Sequence, residues 1–194
     1  MRPRAQGRRQ RGAMVAEFAF SVVVFFTAMF IVMELARGLY LWNTLLEATG
    51  RATYAAAVSD FSDPAIMDSV RQRALLRDSP GGLVLGAPVT DSHIRIDYLS
   101  LARGADGSLT MTPIPTASMP ACPARARLNC AANPNGGDCI RFVRARLCAP
   151  GAGCGPVQYQ PLLPLITLNL PLPVSTSIAR AESLGFAPGS ALCP

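Results

Sequence analysis

The chain has 194 residues, of which 50% are apolar and only 15% charged, a balance that excludes a chain kept unfolded by its own charge. Its length suits one domain, or one domain with an appendage. The net charge of +6 would point to nucleic acid, but five of the 18 basic residues (Arg2, Arg4, Arg8, Arg9 and Arg11) sit in a short leader, and beyond Gly12 the other 13 arginines face 12 acids. The body is nearly neutral, so no nucleic-acid partner is expected.

Residues 18–33, FAFSVVVFFTAMFIVM, follow the leader. Ser21 and Thr27 are their only polar side chains, and extension back to Ala13 gives 21 residues with one charge, Glu17. At about 1.5 Å of rise per residue, this length roughly matches a ~30 Å hydrocarbon core. The alternative is a buried helix of a soluble protein, but such helices are seldom apolar on every side. The arginines precede the span, and Glu34 and Arg37 make a mixed flank after it. The positive-inside rule then places residues 1–12 in the cytoplasm and the body outside. A secretory signal peptide has the same order of parts. Against it, the apolar run is on the long side and no loop follows it.

The helical pattern continues through residues 34–58. Leu35, Leu39, Trp42 and Leu46 recur at spacings of four, three and four, which makes one helical stripe. Glu47 and Arg51 are four apart in the favourable order, and with Arg37 and Thr44 they mark a mostly polar side. The expectation is one helix from near Ala13 to near Val58, stopped by Asp60, Ser62, Asp63 and Pro64. Its second half either packs on its own domain, or packs against other copies of itself, or does both.

The body reads as a small strand-rich domain. Residues 64–78 predict a short helix opened by Pro64 and closed by SPGG. Residues 93–101 alternate, with Ile94, Ile96 and Tyr98 on one face, and Asp106-Gly107 signals a hairpin turn into LTMT. Residues 140–147 alternate again. Residues 157–160, 165–170 and 173–180 are further strand candidates, with prolines at their edges. Arg141, Arg144 and Arg146 form a basic strip, read as a solvated face, with a contact to an acidic partner or an anionic glycan as the alternative.

Six cysteines stand at Cys122, Cys130, Cys139, Cys148, Cys154 and Cys193, none in a C-x-x-C pair and all far in sequence from the single histidine, His93. No zinc site is expected. An even count on the outer side of a membrane predicts disulfides, two or three of them, closing loops of ~15–30 residues worth about 3 kcal/mol each. Cys193 is expected to tie the tail back. The loop-rich segment 122–154 holds five of the six, and the sequence alone does not choose the pairing. His93 reads as a surface or half-buried strand residue. Strand alternation puts Ser92 and His93 on opposite faces, and no nucleophile elbow, P-loop or dinucleotide fingerprint occurs. No enzyme activity, catalytic residue, cofactor, metal or small-molecule substrate is therefore expected.

Glu17 sits where a charge costs most. A carboxylate in hydrocarbon is unfavourable by at least about 3 kcal/mol on insertion scales, so such residues pair or snorkel. It is fifth after Gly12, in the string RRQRG-AMVAEF, and Phe18 opens the apolar run. This arrangement resembles a type IV prepilin signal. The resemblance implies that an inner-membrane prepilin peptidase cuts between Gly12 and Ala13, and that the uncut helix joins a bundle of other pilins. It also implies that the new amine on Ala13 pairs with Glu17 of a neighbouring subunit. Pairing in a low dielectric would offset the cost of the buried acid. The other reading is an ordinary signal anchor in which Glu17 reaches the headgroups.

The segment from Arg11 to Ala57 is similar more narrowly to the TadE-like family of tight-adherence (Flp-type) pilus systems. Members read R-G, four small residues, E, an aromatic and an apolar run, followed by E-x-x-R and an Ala-rich helix with Asn or Gln before an Arg. Glu34 and Arg37 supply the E-x-x-R, and Asn43 and Arg51 continue the pattern. Tyr159, residues 162–164 and residues 180–182 loosely match the family's C-terminal strand, LLP-type loop and strand leading to Arg and Glu. Residues 60–155 carry no such likeness. The length leaves no room for the adhesion-type domain of larger TadG-like relatives, which favours a minor pilin or pseudopilin. The resemblance implies a single-pass protein of the bacterial inner membrane, its head periplasmic, that is incorporated into a surface pilus or helps assemble one.

The fold expected is α+β: a long N-terminal helix, membrane-spanning in its first half, leading into a small antiparallel sheet domain with one short helix and disulfide staples. The segments are a basic leader at 1–12, the helix at 13–58 and an extracytoplasmic head at 59–194. The rival functions are a plain signal-anchored periplasmic protein and a secreted enzyme with an unseen site.

Overall fold

The computed structural model describes residues 10–151, 153–162, 170–189 and 192–193. In chain order the elements are α1 (Gln10–Val58), α2 (Pro64–Ala74), β1 (Ile94–Arg103), β2 (Leu109–Pro113), α3 (Pro123–Ala132), β3 (Phe142–Leu147) and β4 (Thr176–Arg180). The chain divides into two compact units, Met1–Tyr40 and Leu41–Pro194. The division falls inside α1, not at its end near residue 58, because from Leu41 onward the helix supplies core side chains to the head.

In the first unit, α1 is exposed almost throughout, with Phe18, Phe20, Val23, Phe25 and Ile31 all facing outward. The helix Gly12–Val58 is long and apolar enough to cross a membrane. The two hydroxyls in its apolar run do not leave polar hydrogens loose. Ser21 donates to the Glu17 carbonyl at 2.9 Å and Thr27 to the Val23 carbonyl at 2.7 Å. Both bonds stay within the helix, as a hydrocarbon environment requires.

The second unit is built on a four-stranded antiparallel sheet in the order β2-β1-β3-β4. The β1–β2 hairpin turns at Gly107, whose φ of 81° suits glycine, and Ser108 N–H donates to the Asp106 carboxylate. Leu41, Leu45, Ala48 and Ala52 of α1 pack with Ile94, Ala145 and Leu147 of the sheet, and Ala56 and Ala57 pack near Tyr98 and Val143. Alanine at these four positions lets helix and sheet backbones approach closely. The close approach carries polar bonds in the core: Thr49 and Ser175 hydroxyls lie 2.6 Å apart, Ser175 donates to the Leu45 carbonyl, and Thr53 donates to the carbonyls of Thr49 and Ser177.

The buried stripe is therefore not the one periodicity singles out. Trp42 and Leu46 are exposed in the head unit, and Leu35 and Leu39 in the other. α2 begins as its sequence predicts, with Asp63 capping Ala65 N–H at 2.8 Å and Pro64 in the first turn, and it buries Met67, Val70 and Ala74. Burial pushes the Tyr98 phenol well above its ordinary pKa, and its hydroxyl meets the Met67 sulfur at 3.5 Å.

Three expectations change. The segment 122–154 contains a helix, α3, not only loops. Among the described residues, 157–160 contribute one isolated bridge, Gln158 to Pro171, with Leu172 N–H donating to the Val157 carbonyl beside it. Of the strand candidate at 165–170, only Leu170 lies within the described residues, where its carbonyl accepts from Tyr159 N–H. The disulfides are Cys122–Cys193, Cys130–Cys139 and Cys148–Cys154. They span 71, 9 and 6 residues, not 15–30. Cys193 does tie the tail back, and loop entropy makes that bond worth about 4 kcal/mol against about 2 for the shortest.

The open end of α1 is closed by the chain beyond β4. The Ala57 carbonyl accepts from Glu182 N–H and Leu184 N–H, and the Val58 carbonyl accepts from the Ser183 hydroxyl at 3.2 Å. Gly185 follows at φ 82°, where an added Cβ would stand 2.5 Å from the Asp60 nitrogen. Gly185→Ala should lower unfolding stability by about 2–4 kcal/mol, from a strained backbone plus a backbone clash. Gly189→Ala, at φ 90° with open space around it, should cost about 1 kcal/mol. Urea midpoints measure both, and equal losses would show that the close approach to Asp60 is unimportant.

Candidate functional site

The residues singled out near the N-terminus all lie on α1. Gly12 and Ala13 fall in its first turn, just after its start at Gln10. Gly12 has nothing near its Cα hydrogens, and Ala13, Glu17 and Phe18 are exposed. Among the described residues no cation pairs with the Glu17 carboxylate. Its backbone carbonyl is occupied by Ser21, but its side chain faces outward from an otherwise apolar stretch. Such a carboxylate is stable in water or beside a cation and unstable in hydrocarbon alone.

Farther along, Arg37 donates to Glu34 at 3.1 Å, and only 5% of the Arg37 side chain is exposed. The i, i+3 spacing brings the two together on one helix face, so E-x-x-R is an ion pair built into α1. Arg51 pairs with Glu47 at 2.7 Å and also donates to the Ala74 carbonyl at 3.2 Å. It thereby joins α1 to the C-terminal end of α2, satisfying a carbonyl that the helix leaves open. Asn43 is exposed.

In the head, the strand register assembles a charge cluster that spacing along the chain does not reveal. Asp97 stands opposite Arg144, and Arg95 opposite Arg146. The Asp97 side chain, 12% exposed, takes Arg144 at 2.9 Å, Arg146 at 2.7 Å and Arg95 at 3.1 Å. Burial alone would raise its pKa, but the bonds from Arg144 and Arg146, aided by Arg95, outweigh it and hold the carboxyl below the usual range. The expected basic strip is thus split. Arg144 and Arg146 converge on Asp97, while Arg141 precedes β3 and belongs elsewhere.

His93 ends a short 3-10 turn, Asp91–His93, and is not a strand residue. Its Nδ1 accepts from Thr90 N–H at 3.1 Å, and the Thr90 hydroxyl is 2.9 Å from it. Burial lowers its pKa, against the Thr90 bond and the nearby Asp91. Ser92 bonds Thr90 at 2.7 Å, so the ring holds a turn and the serine is directed to threonine. All six cysteines are in disulfides, so none is a free thiol.

No protein-family model, curated protein or solved structure matches the chain.

The Asp97 cluster yields a pH dependence with a definite sign. The folded pKa is depressed, so its stabilisation is fully present above the unfolded value of about 3.9 and is lost as pH falls through the lower folded value. Asp97→Asn should cost about 2 kcal/mol at pH 7, because three arginines lose a shared charged acceptor. In urea titrations the difference from the unsubstituted protein should shrink below about pH 4. A difference that stays constant down to pH 2 would contradict the assignment.

Proposed function

We propose that this chain is a TadE-like minor pilin or pseudopilin of a tight-adherence pilus or secretion system. In this reading it is a structural part, processed after Gly12 by a prepilin peptidase, and not an enzyme. The observation that carries it is the single carboxylate of Glu17, exposed on an apolar membrane-length helix five residues beyond Gly12. An acid in that position calls for a cation in the membrane, and cleavage after Gly12 would create one on Ala13 of each copy.

Two further features support the reading. Cleavage would fall in the first turn of α1, where helix ends fray and glycine weakens the helix. Leu35 and Leu39 in the first unit, and Trp42 and Leu46 in the head, are large apolar side chains left exposed, the kind that helices bury on one another in a bundle. The leader is then cytoplasmic and the head, with its disulfides, periplasmic, which suits an oxidising compartment. Partners in this reading are the inner membrane, the peptidase and other pilins.

Intact-mass measurement of the protein extracted from membranes should give a mature chain beginning at Ala13. An intact Met1 would favour a plain signal anchor, and a start beyond about residue 36 a cleaved signal peptide. With Glu17→Gln, processing should survive while co-purification with partner pilins falls roughly tenfold or more. Unchanged co-purification would remove the pairing role.

A further inference from the structure

A second grouping of arginines lies apart from the Asp97 cluster. A cavity of about 270 Å³ opens among α3, the start of β3 and the segment after β4. Arg127 reaches it from α3, Arg141 from just before β3, and Arg180 from the end of β4. Among the described residues the only acid in its lining is Glu182, so they bring three positive charges and one negative. The rest is apolar backing, Ile140 and Leu184 foremost, with Cys130 beside them.

These charges are not spent on one another. Among the described residues, the side chains of Arg141, Arg180 and Glu182 have no ion pair or hydrogen bond within the chain. Arg127 lies over the Phe186 ring at 4.5 Å from its centre, a contact that orients the guanidinium without neutralising it. Elsewhere in the head, Arg71 pairs with Asp68, and Arg144 and Arg146 share Asp97 with Arg95. Three guanidiniums from three separate elements face one hollow that holds a single carboxylate, Glu182, so its excess positive charge favours entry of an anion. The apolar backing strengthens the attraction any such anion would feel. The walls are also fixed: the Cys130–Cys139 disulfide locks α3 to the entry of β3, and Ala181 N–H donates to the Arg141 carbonyl, locking that entry to the end of β4.

We propose that this cavity binds a carboxylated sugar, a uronate-type monosaccharide unit of an anionic glycan. A planar carboxylate fits the forked donors of Arg141 and Arg180. Glu182 can only accept, so it suits ring hydroxyls beside the carboxylate and disfavours a bare polyanion. The volume holds one six-membered ring with its substituents, and the open side leaves room for the glycan to continue. The interaction is binding without turnover, and it does not depend on how the helix is processed.

The test is a titration of the full chain in detergent micelles, followed by calorimetry or NMR shifts, with methyl galacturonate, methyl galactoside and inorganic phosphate as probes. Methyl galacturonate should bind with a Kd on the order of 1 mM, as expected for a ligand of that size. The neutral galactoside should bind at least roughly tenfold more weakly, as should inorganic phosphate. Arg180→Gln, at an exposed strand end, should weaken galacturonate binding roughly tenfold while leaving the near-UV spectrum unchanged. Arg73→Gln, outside the cavity, should leave affinity unchanged. If Arg180→Gln perturbs folding, Arg127→Gln serves as the second variant with the same expectation. Equal binding of the acid and the neutral sugar, equal or tighter binding of phosphate, no binding of galacturonate, or equal effects of the Arg180 and Arg73 substitutions would each overturn the proposal.

Discussion

The packing of Leu41, Leu45, Ala48 and Ala52 against Ile94, Ala145 and Leu147 is the contact on which the head depends. It makes the second part of α1 a core element, not a connector. The alanines set how near the helix comes to the sheet. That nearness in turn allows the Thr49–Ser175 and Thr53–Ser177 bonds, which fix the segment leading into β4 as well as β4 itself. The segment just after β4 then folds back to close the helix, through the bonds from residues 182–184 to the carbonyls of Ala57 and Val58. A sheet of four short strands has limited apolar area of its own, and the helix provides the other face of its core.

The same helix faces two different demands. From Phe18 to Met33 every side is apolar, which suits lipid, and the hydroxyls of Ser21 and Thr27 are bonded internally. From Leu41 the demand is for one side that matches a sheet. The side chosen carries small residues and threonines, and the large side chains Trp42 and Leu46 are left outward. That is why the stripe marked by hydrophobic size is not the one the head buries. Burial followed shape and polar complementarity, with Thr49 and Thr53 among the most buried residues in the chain.

Much of the fold was legible in the sequence because its signals are local. The apolar run, the Asp63-Pro64 cap and the Asp106-Gly107 turn each fix backbone within a few residues, and α1, α2 and the β1–β2 hairpin followed. α3 was missed because its cysteines and the surrounding Gly, Pro and Asn drew attention to loops, although Pro123 in a first turn ahead of ARARL is a helix signal. The disulfide pairing was not legible, since it depends on where α3 and the tail sit.

The candidate sites divide along the same line. Glu34 and Arg37 could be paired from i, i+3 spacing on one helix, while Gly12 and Glu17 could be named from the resemblance to a prepilin signal and from a lone charge in an apolar run. The Asp97 cluster needed the β1–β3 register, and the cavity of Arg127, Arg141 and Arg180 needed three elements brought together by a disulfide and a strand ladder. No spacing rule reaches across those distances. Arg141 parts from the strip of Arg144 and Arg146 because it lies before β3 and at odd spacings from them, which a pleat with a period of two puts on the other face.

The most direct test of the helix's role in the head compares two shortened chains, residues 41–194 and residues 59–194, by urea unfolding followed with near-UV circular dichroism. The first should unfold in one cooperative transition, since it keeps every α1 side chain in the core. The second should show no cooperative transition and no fixed aromatic signal. A cooperatively folded chain of residues 59–194 would contradict the account, because the sheet would then be stable without the helix that we hold to be half of its core.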